Sequence, residues 1–235
     1  VKEKIWLRKT LVGFQFSIAT IVFIGAIVVS QQIGYFFSKN IGYNKDYIVS
    51  AQVPRDWSSA GVSRMATNRT QLSALPQVSD VTLSFEVPDG RNSGSAAIYK
   101  VGADSTSAVS TQFLNTDEHF VSTFGISLKA GVFFSQPVAF TDSSTVVINE
   151  TQAKALGWKK ADDAVGQRVR LIGRTDIYTV AGVTNDFHFG SMQESVPPIT
   201  FMHVVNSQVF RYFSVKLKPG DISNSLEALR KQWAV

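Results

Sequence analysis

Residues 10–38 read TLVGFQFSIATIVFIGAIVVSQQIGYFFS, twenty-nine positions without one Asp, Glu, Lys or Arg. A helix needs about 20 mostly apolar residues to cross a hydrocarbon core of about 30 Å, and Leu11 to Val29 supplies them with only Gln15, Ser17 and Thr20 as polar interruptions. Lipid offers the backbone no hydrogen bonds, so the stretch is predicted to be a helix. If all of it is helical, the rod is about 44 Å long at 1.5 Å per residue and emerges from the membrane as a stalk. Asn40-Ile41-Gly42 is the expected stop, with Gly42 supplying the cap geometry.

The flanks set the orientation. Lys2, Lys4, Arg8 and Lys9 precede the span against a single Glu3, and the next charge after it is Lys39. The excess of basic residues places residues 1–9 in the cytoplasm and everything after Ser38 outside it, in a bacterium the periplasm. A cleaved signal peptide shares the basic start and the apolar run. However, this run exceeds the usual h-region of about 7–15 residues, and no small-x-small cleavage site follows Val29. Gly13, Ser17 and Thr20 fall on one helical face, where a neighbouring helix can approach closely; chance placement of small residues accounts for that face nearly as well.

The chain has 235 residues and a formal net charge of +5. Much of that excess sits in the first nine residues, leaving the external part with no nucleic-acid footprint. The sequence has no cysteine, which excludes disulfides and thiol chemistry.

Beyond the stalk the pattern is mixed. Tyr47 to Val53 alternates as a strand ended by Pro54, and Ser58 or Ser59 can cap a helix with Val62, Met65, Ala66, Leu72 and Leu75 on one face, stopped by Pro76. Val78 to Phe85 is again a strand, completing a β-α-β unit. From Pro88 to Ser110 turn-formers dominate (Asp89-Gly90, Asn92-Ser93-Gly94) up to a short strand at Ala97 to Val101, so a subdomain boundary is placed here. Gln112 to Leu114 is predicted as a strand. Thr116 is expected to cap a short helix, with Asp117 and Glu118 in its first turn, Phe120 and Phe124 stacked, and Gly125 at its end. Ile126 to Phe134 and Thr145 to Ile148 continue the β pattern around Gly131 and Pro137. Asn149 to Gln152 opens a helix that carries Ala153 and Leu156 and ends at Gly157. Arg168 to Ile172 and Ile177 to Val183 form a hairpin about Gly173 to Asp176, and Ile199 to Val205 and Phe210 to Leu217 are two further strands. After Pro219-Gly220, Ile222, Leu226, Leu229 and Trp233 recur at helical spacing, with Arg230 and Lys231 at the favourable end of the dipole.

Chemistry is sparse. The sequence holds no G-x-x-x-x-G-K-[ST] loop, no H-E-x-x-H, no G-x-S-x-G and no paired-cysteine spacing, so no catalytic, cofactor-binding or metal-binding residue is assigned. His119, His188 and His203 are scattered. His188 lies two residues from Asp186 between Phe187 and Phe189, and a turn residue bonded to backbone is the simpler reading of it than a metal ligand or base. Arg168 and Arg170 read as a solvated strand face. Asn68-Arg69-Thr70 and Asn149-Glu150-Thr151 match the glycosylation pattern but fall in predicted helices. Trp57, Trp158 and Trp233 read as packing residues rather than a ligand pocket.

Several segments in order resemble the periplasmic core domain of MacB-like and FtsX-like ABC transporter permeases, in particular the long duplicated permeases of Bacteroidetes-type bacteria. They are LRKTLVGFQFSIATIVFIGAIVVSQQ, LSALPQVSDVTLSFEVP, NTDEHFVSTFGISLKAG, VVINETQAKALGW, AVGQRVRL and YTVAGVTNDFHFGSMQE. Gly131-Val132 stands where such permeases usually carry Gly-Arg. The resemblance implies an α+β fold: one N-terminal transmembrane helix (residues 10–38, with 1–9 as a cytoplasmic flank), then a two-lobed periplasmic core domain over 39–235. Residues 39–87 and about 195–235 would form a β-α-β lobe, and about 88–194 an inserted β-rich lobe. In such permeases one span precedes the domain and three follow, and the long forms repeat this plan, so the chain is expected to be part of the second repeat.

The resemblance implies a non-enzymatic permease working with a cytoplasmic ABC ATPase, other helices of the same permease and a periplasmic partner protein, in a dimeric or pseudo-dimeric assembly. The long helix would pass ATP-driven motion to the outer domain for export or envelope regulation. A membrane-anchored sensor or ligand-binding module also fits one span and an external α+β domain. An anchored hydrolase would require a nucleophile and base brought together, and the sequence offers no candidate pair.

Overall fold

A computed structural model describes residues 2–38, 42–43, 46–89, 94–134, 144–190 and 194–233. It divides into two compact units, Val1–Asn40 and Ile41–Val235.

The first unit is one helix, α1 (Lys2–Ser38), unbroken over 37 residues or about 56 Å. Within it Ile5–Gly34 is long and apolar enough to cross a membrane, with mean hydropathy 2.3 and no buried residue. Its polar interruptions satisfy themselves: the Ser17 and Thr20 hydroxyls donate to the carbonyls of Gly13 and Phe16 at 2.9 and 2.8 Å. Of the expected stop, residues 39–41 lie outside the described residues. Gly42 is described, at φ +84°.

The second unit begins with β1 (Ile48–Gln52), α2 (Ser59–Ser73) and β2 (Val78–Ser84). Ser58 caps α2 by accepting from the Gly61 N–H at 3.0 Å, and Val62, Met65 and Leu72 are buried. Ala66, predicted on the same face, is exposed, because it sits one position beyond the stripe that Met65 completes. The strand β10 (Tyr212–Leu217) runs antiparallel between β1 and β2, so the β-α-β unit is split by a strand from the far end of the domain. Val53, Val62, Met65, Leu72, Val81, Leu83, Phe213, Val215 and Leu217 form one core cluster between this sheet and its helices.

The remaining strands are β3 (Ser95–Lys100), β4 (Val109–Thr116), β5 (Leu128–Gly131), β6 (Thr145–Asn149), β7 (Arg168–Leu171), β8 (Ile177–Thr184) and β9 (Ile199–His203). Following the pairings β4-β3-β7-β8-β6-β9 leads back to β4, because β9 pairs with β6 on one side and, in parallel, with β4 on the other. Six strands thus close into a ring with no free edge among them. Inside the ring Ile98, Val146, Ile148, Val169, Leu171, Val180 and Met202 pack as one cluster, and the buried Thr111 and Thr200 hydroxyls bond each other at 2.9 Å. Residues 195–203 were expected to return to the β-α-β part; β9 pairs within the ring instead, and the return comes at β10. The predicted hairpin β7–β8 forms, with Arg170 opposite Ile177 and Arg168 opposite Thr179. Of the predicted turn and break positions, Gly90, Asn92, Ser93 and Pro137 lie outside the described residues.

Short helices complete the unit: α3 (Phe120–Phe124), α4 (Glu150–Ala155), α5 (Ala161–Ala164), α6 (Val204–Ser207) and α7 (Ile222–Trp233). Gly125 closes α3 in the left-handed region and Asn149 caps α4 by accepting from Gln152 N–H, as the sequence predicts. The periodic face of α7 is only partly covered: Leu229 packs on the sheet cluster, while Ile222, Leu226 and Trp233 remain 48%, 37% and 45% exposed.

Candidate coupling site at the corner between β4 and α3

Among the described residues, Ser84 and Thr116 form the single register pair between β2 and β4, and so between the three-stranded sheet and the ring. Two backbone bonds flank it, Phe85 N–H to Asn115 O at 2.9 Å and Asp117 N–H to Leu83 O at 3.0 Å, and the Asn115 N–H donates to Glu86 Oε2 at 2.8 Å. The side chains of the corner add to this short backbone join, beside the apolar packing of Val204 and Phe210 on the sheet cluster.

The corner is Thr116-Asp117-Glu118-His119. Thr116 is the last residue of β4, not the expected cap of α3, and the residue preceding α3 is His119, which makes no side-chain cap bond. Asp117 and Glu118 turn inward rather than facing the α3 dipole. Asp117 accepts from the Thr82 hydroxyl at 2.5 Å, the Leu83 N–H at 2.8 Å, the His119 N–H at 3.1 Å and Arg69 Nη1 at 2.7 Å. Glu118 takes the other arm of the same guanidinium, Nη2 to Oε1 at 2.7 Å, and lies 2.9 Å from His203 Nε2. Because His203 Nδ1 accepts from the Val205 N–H, its proton is on Nε2 and is donated to Glu118. One arginine on α2 therefore holds two carboxylates of the β4–α3 corner, and a ring strand supports the second of them.

A second branch runs from His119 to Asp80 on β2, Nδ1 to Oδ1 at 3.0 Å, and Ser122 on α3 donates to the other Asp80 oxygen at 2.5 Å. Burial pushes the Asp117 carboxyl up, against the pull of Arg69 and Thr82. Burial opposes ionisation of Glu118 too, but the His203 hydrogen bond and Arg69 hold it well below the usual carboxylate range. The hydrogen bond that the His119 ring donates to Asp80 raises the His119 imidazole. Asp80 resists burial through its bonds from His119 and Ser122 and is lowered.

Ser122, Asp80 and His119 are the ingredients of a hydrolytic triad, but the wiring differs. Both the serine and the histidine bond the aspartate, whereas in a triad the histidine stands between the serine and the aspartate. Among the described residues no group of three or more His, Asp and Glu could hold a metal.

Where the chain enters the domain, a second contact stands out. A Cβ on Gly42 would lie 2.7 Å from the Phe187 Cα and 2.8 Å from the Asp186 carbonyl oxygen, so two stretches of backbone touch where only glycine fits. Tyr43 meets Phe124 and Phe187 edge-on and donates from its hydroxyl to Pro88 O at 3.0 Å. Phe187 stacks on Phe201 of β9. Asp186 accepts from Asn149 Nδ2 and from the N–H and hydroxyl of Thr151, which makes it an anchor for the start of α4.

The other residues singled out from sequence are dispersed. His188 is half-buried, while the Asp186 carboxylate is engaged by Asn149 and Thr151. Arg168 is exposed and Arg170 half-buried on β7, and neither makes an ion pair among the described residues. Asn149 is fully buried, which removes it as a glycosylation acceptor; Asn68 is half-buried on α2. Trp57 donates to Phe210 O, Trp158 packs on the ring cluster beneath Lys100, and Trp233 meets Phe213 edge-on. Val132 is 59% exposed just after β5. The Arg69 clasp escaped the sequence reading because its members come from positions 69, 117, 118 and 203, with no fixed spacing; the run Asp117-Glu118-His119 is the one local signal.

The profile of the MacB-like periplasmic core domain matches residues 10–232. No curated protein sequence matches the chain. Solved structures similar to it include the periplasmic region of MacB from Actinobacillus actinomycetemcomitans, at 15% identity and a TM-score of 0.54, covering 82% of this chain and 84% of that one. The extracellular domain of the noncanonic ABC-type transporter YknZ from Gram-positive bacteria is similar at 13% identity, TM-score 0.50, over 76% and 88%. A domain of a putative permease from Porphyromonas gingivalis aligns at 23% identity, TM-score 0.49, over 69% and 72%.

Proposed function

Because the chain belongs to the family of MacB-like periplasmic core domains, we propose that it forms an outer domain of an ABC-type transporter permease together with the membrane helix that leads into that domain. It works in the inner membrane with residues 39–235 in the periplasm, carries no catalytic centre, and relies on a cytoplasmic ATPase for energy. Its role is mechanical: α1 passes movement to the outer domain, which exports a substrate or regulates an envelope partner. The domain acts as two lobes, the three-stranded sheet with α2 and α7 and the six-stranded ring, held together by Arg69, Asp117, Glu118 and His203. The permease functions as a dimer or pseudo-dimer.

The observation that carries this reading is the unbroken length of α1. At about 56 Å it exceeds the hydrocarbon core by some 26 Å, enough for a rod that reaches well past the membrane. A rod transmits displacement only while its hydrogen bonds are continuous. Gln32→Pro removes one backbone donor and drives a ring into the preceding turn, kinking the helix at a cost of about 3 kcal/mol. In the assembled transporter the variant is expected to hydrolyse ATP and assemble normally while losing transport. Transport at the wild-type rate by Gln32→Pro would refute the mechanical role.

A further inference from the structure

Among the described residues, β1 is the outermost strand of its sheet and pairs with β10 alone. The antiparallel ladder fixes which of its backbone groups are used. Leu217 N–H bonds Tyr47 O and Val53 N–H bonds Arg211 O, so Tyr47, Val49, Ala51 and Val53 point their N–H and C=O groups at β10. Ile48, Ser50 and Gln52 then point theirs away from the sheet, and none of these groups has a backbone partner among the described residues. The usual protection of an edge is missing: Ile48–Gln52 contains no Lys, no Pro and no bulge.

Beside this edge the helical layer is incomplete. A cleft of about 620 Å³ lies between β1 and α7, lined on one wall by Val49, Ala51 and Val215 and on the other by Leu226, Leu229 and Trp233. Arg230 and Glu227 stand on its rim. Glu227 is paired with Lys231 at 3.1 Å, whereas Arg230 has no ion-pair partner among the described residues.

We propose that β1 is a docking edge for an extended segment of a partner polypeptide, which adds as a further strand, places large apolar side chains at alternate positions into the cleft, and sets an acidic side chain against Arg230. The outward N–H and C=O groups of Ile48, Ser50 and Gln52 supply the main-chain bonds, and the cleft reads every second side chain. The occupant is a different polypeptide rather than a second β1. In a β1–β1 pairing the side chains facing the cleft would be Val49 and Ala51, too small to fill it, and two Arg230 guanidinium groups would share one rim. Binding is read without ATP or cargo, so its outcome is independent of the transport reading.

The test uses the full chain in detergent micelles and a fluorescent eight-residue peptide, blocked at both ends, with Leu at alternate positions, Thr between them and one Asp. The control is the same composition with the leucines contiguous. Saturable anisotropy is expected for the alternating peptide, with at least about tenfold weaker binding of the control. Gln52→Pro removes an outward N–H at an exposed edge position that tolerates proline, and is expected to weaken binding by about tenfold while leaving the melting curve unchanged. Leu226→Lys, on an already exposed position, should do the same by occupying the cleft. Arg230→Ala should abolish the preference for the Asp peptide over its Asn counterpart. No saturable binding, equal affinity for both peptides, indifference to Gln52→Pro, or self-association of the chain that Gln52→Pro abolishes would each overturn the proposal.

Discussion

Replacing Arg69 by Met keeps the aliphatic stem and deletes the charge that two carboxylates share. Asp117 and Glu118 have side-chain exposures of only 2% and 10%, and Arg69 itself 15%, so water cannot replace what is lost. Breaking a buried ion pair from one side costs about 3–5 kcal/mol. Asp117 retains its bonds from Thr82, Leu83 and His119, and Glu118 retains His203, which puts the expected loss near the lower figure, about 3 kcal/mol. Urea unfolding of the full chain in micelles, followed by tryptophan fluorescence, would register this as a midpoint lower by about 1–1.5 M, taking a slope of about 2–3 kcal/mol per M. Adding Glu118→Gln to Arg69→Met removes one of the two negative charges that have lost the guanidinium and should recover at least about 1 kcal/mol. A loss under about 1 kcal/mol in the single variant would mean that the clasp behaves as a solvated surface pair, and the argument that it holds the join would be wrong.

Gly42→Ala combines a φ of +84° with backbone atoms of Phe187 and Asp186 inside 3 Å of the new methyl group, so a loss of at least about 2 kcal/mol is expected, with faster amide exchange over residues 186–189; unchanged exchange would refute the tight approach. The His119–Asp80 pair gives a signed pH dependence. His119 is raised, so its stabilisation is complete below the unfolded value of about 6.5 and is lost as pH rises through the folded value. Asp80 is lowered, so its share is complete above about 3.9 and is lost as pH falls through the folded value. Raising the pH from 5.5 to 8.5 should therefore lower the unfolding midpoint, and His119→Gln should flatten that change; an identical pH response in both proteins would dissociate the pair from stability.

Local chemistry was legible wherever it acts over a few residues. Ser58 before α2, Asn149 before α4 and Gly125 after α3 are where short-range rules place them, and the β7–β8 hairpin follows from its turn. What periodicity cannot express is pairing between distant strands. β9 is buried at every position because it has ring strands on both sides and packed layers on both faces, and such a run carries no alternation to tell which neighbours it joins. Asp117 and Glu118 illustrate a competing reading: two acids before a short helix fit a dipole cap, and only the three-dimensional approach of Arg69 and His203 turns them inward. In α7 the pattern gave the helix correctly but not its cover, since periodicity records an apolar face without saying what lies against it.

The position of β10 between β1 and β2 bears on how the domain is made. Ile48 pairs with Lys216 and Val81 with Val215, so among the described residues β1 and β2, neighbours in sequence order, are joined through β10, about 130 residues further along. Contacts of such long sequence separation close late and slowly. Until β10 arrives, β1 and β2 each expose unpaired backbone while tethered to a membrane helix, whereas the ring can close without waiting for β10. Synthesis and export of β1 and β2 therefore pass through an interval open to mispairing, and its length depends on how fast the chain through Leu217 is delivered.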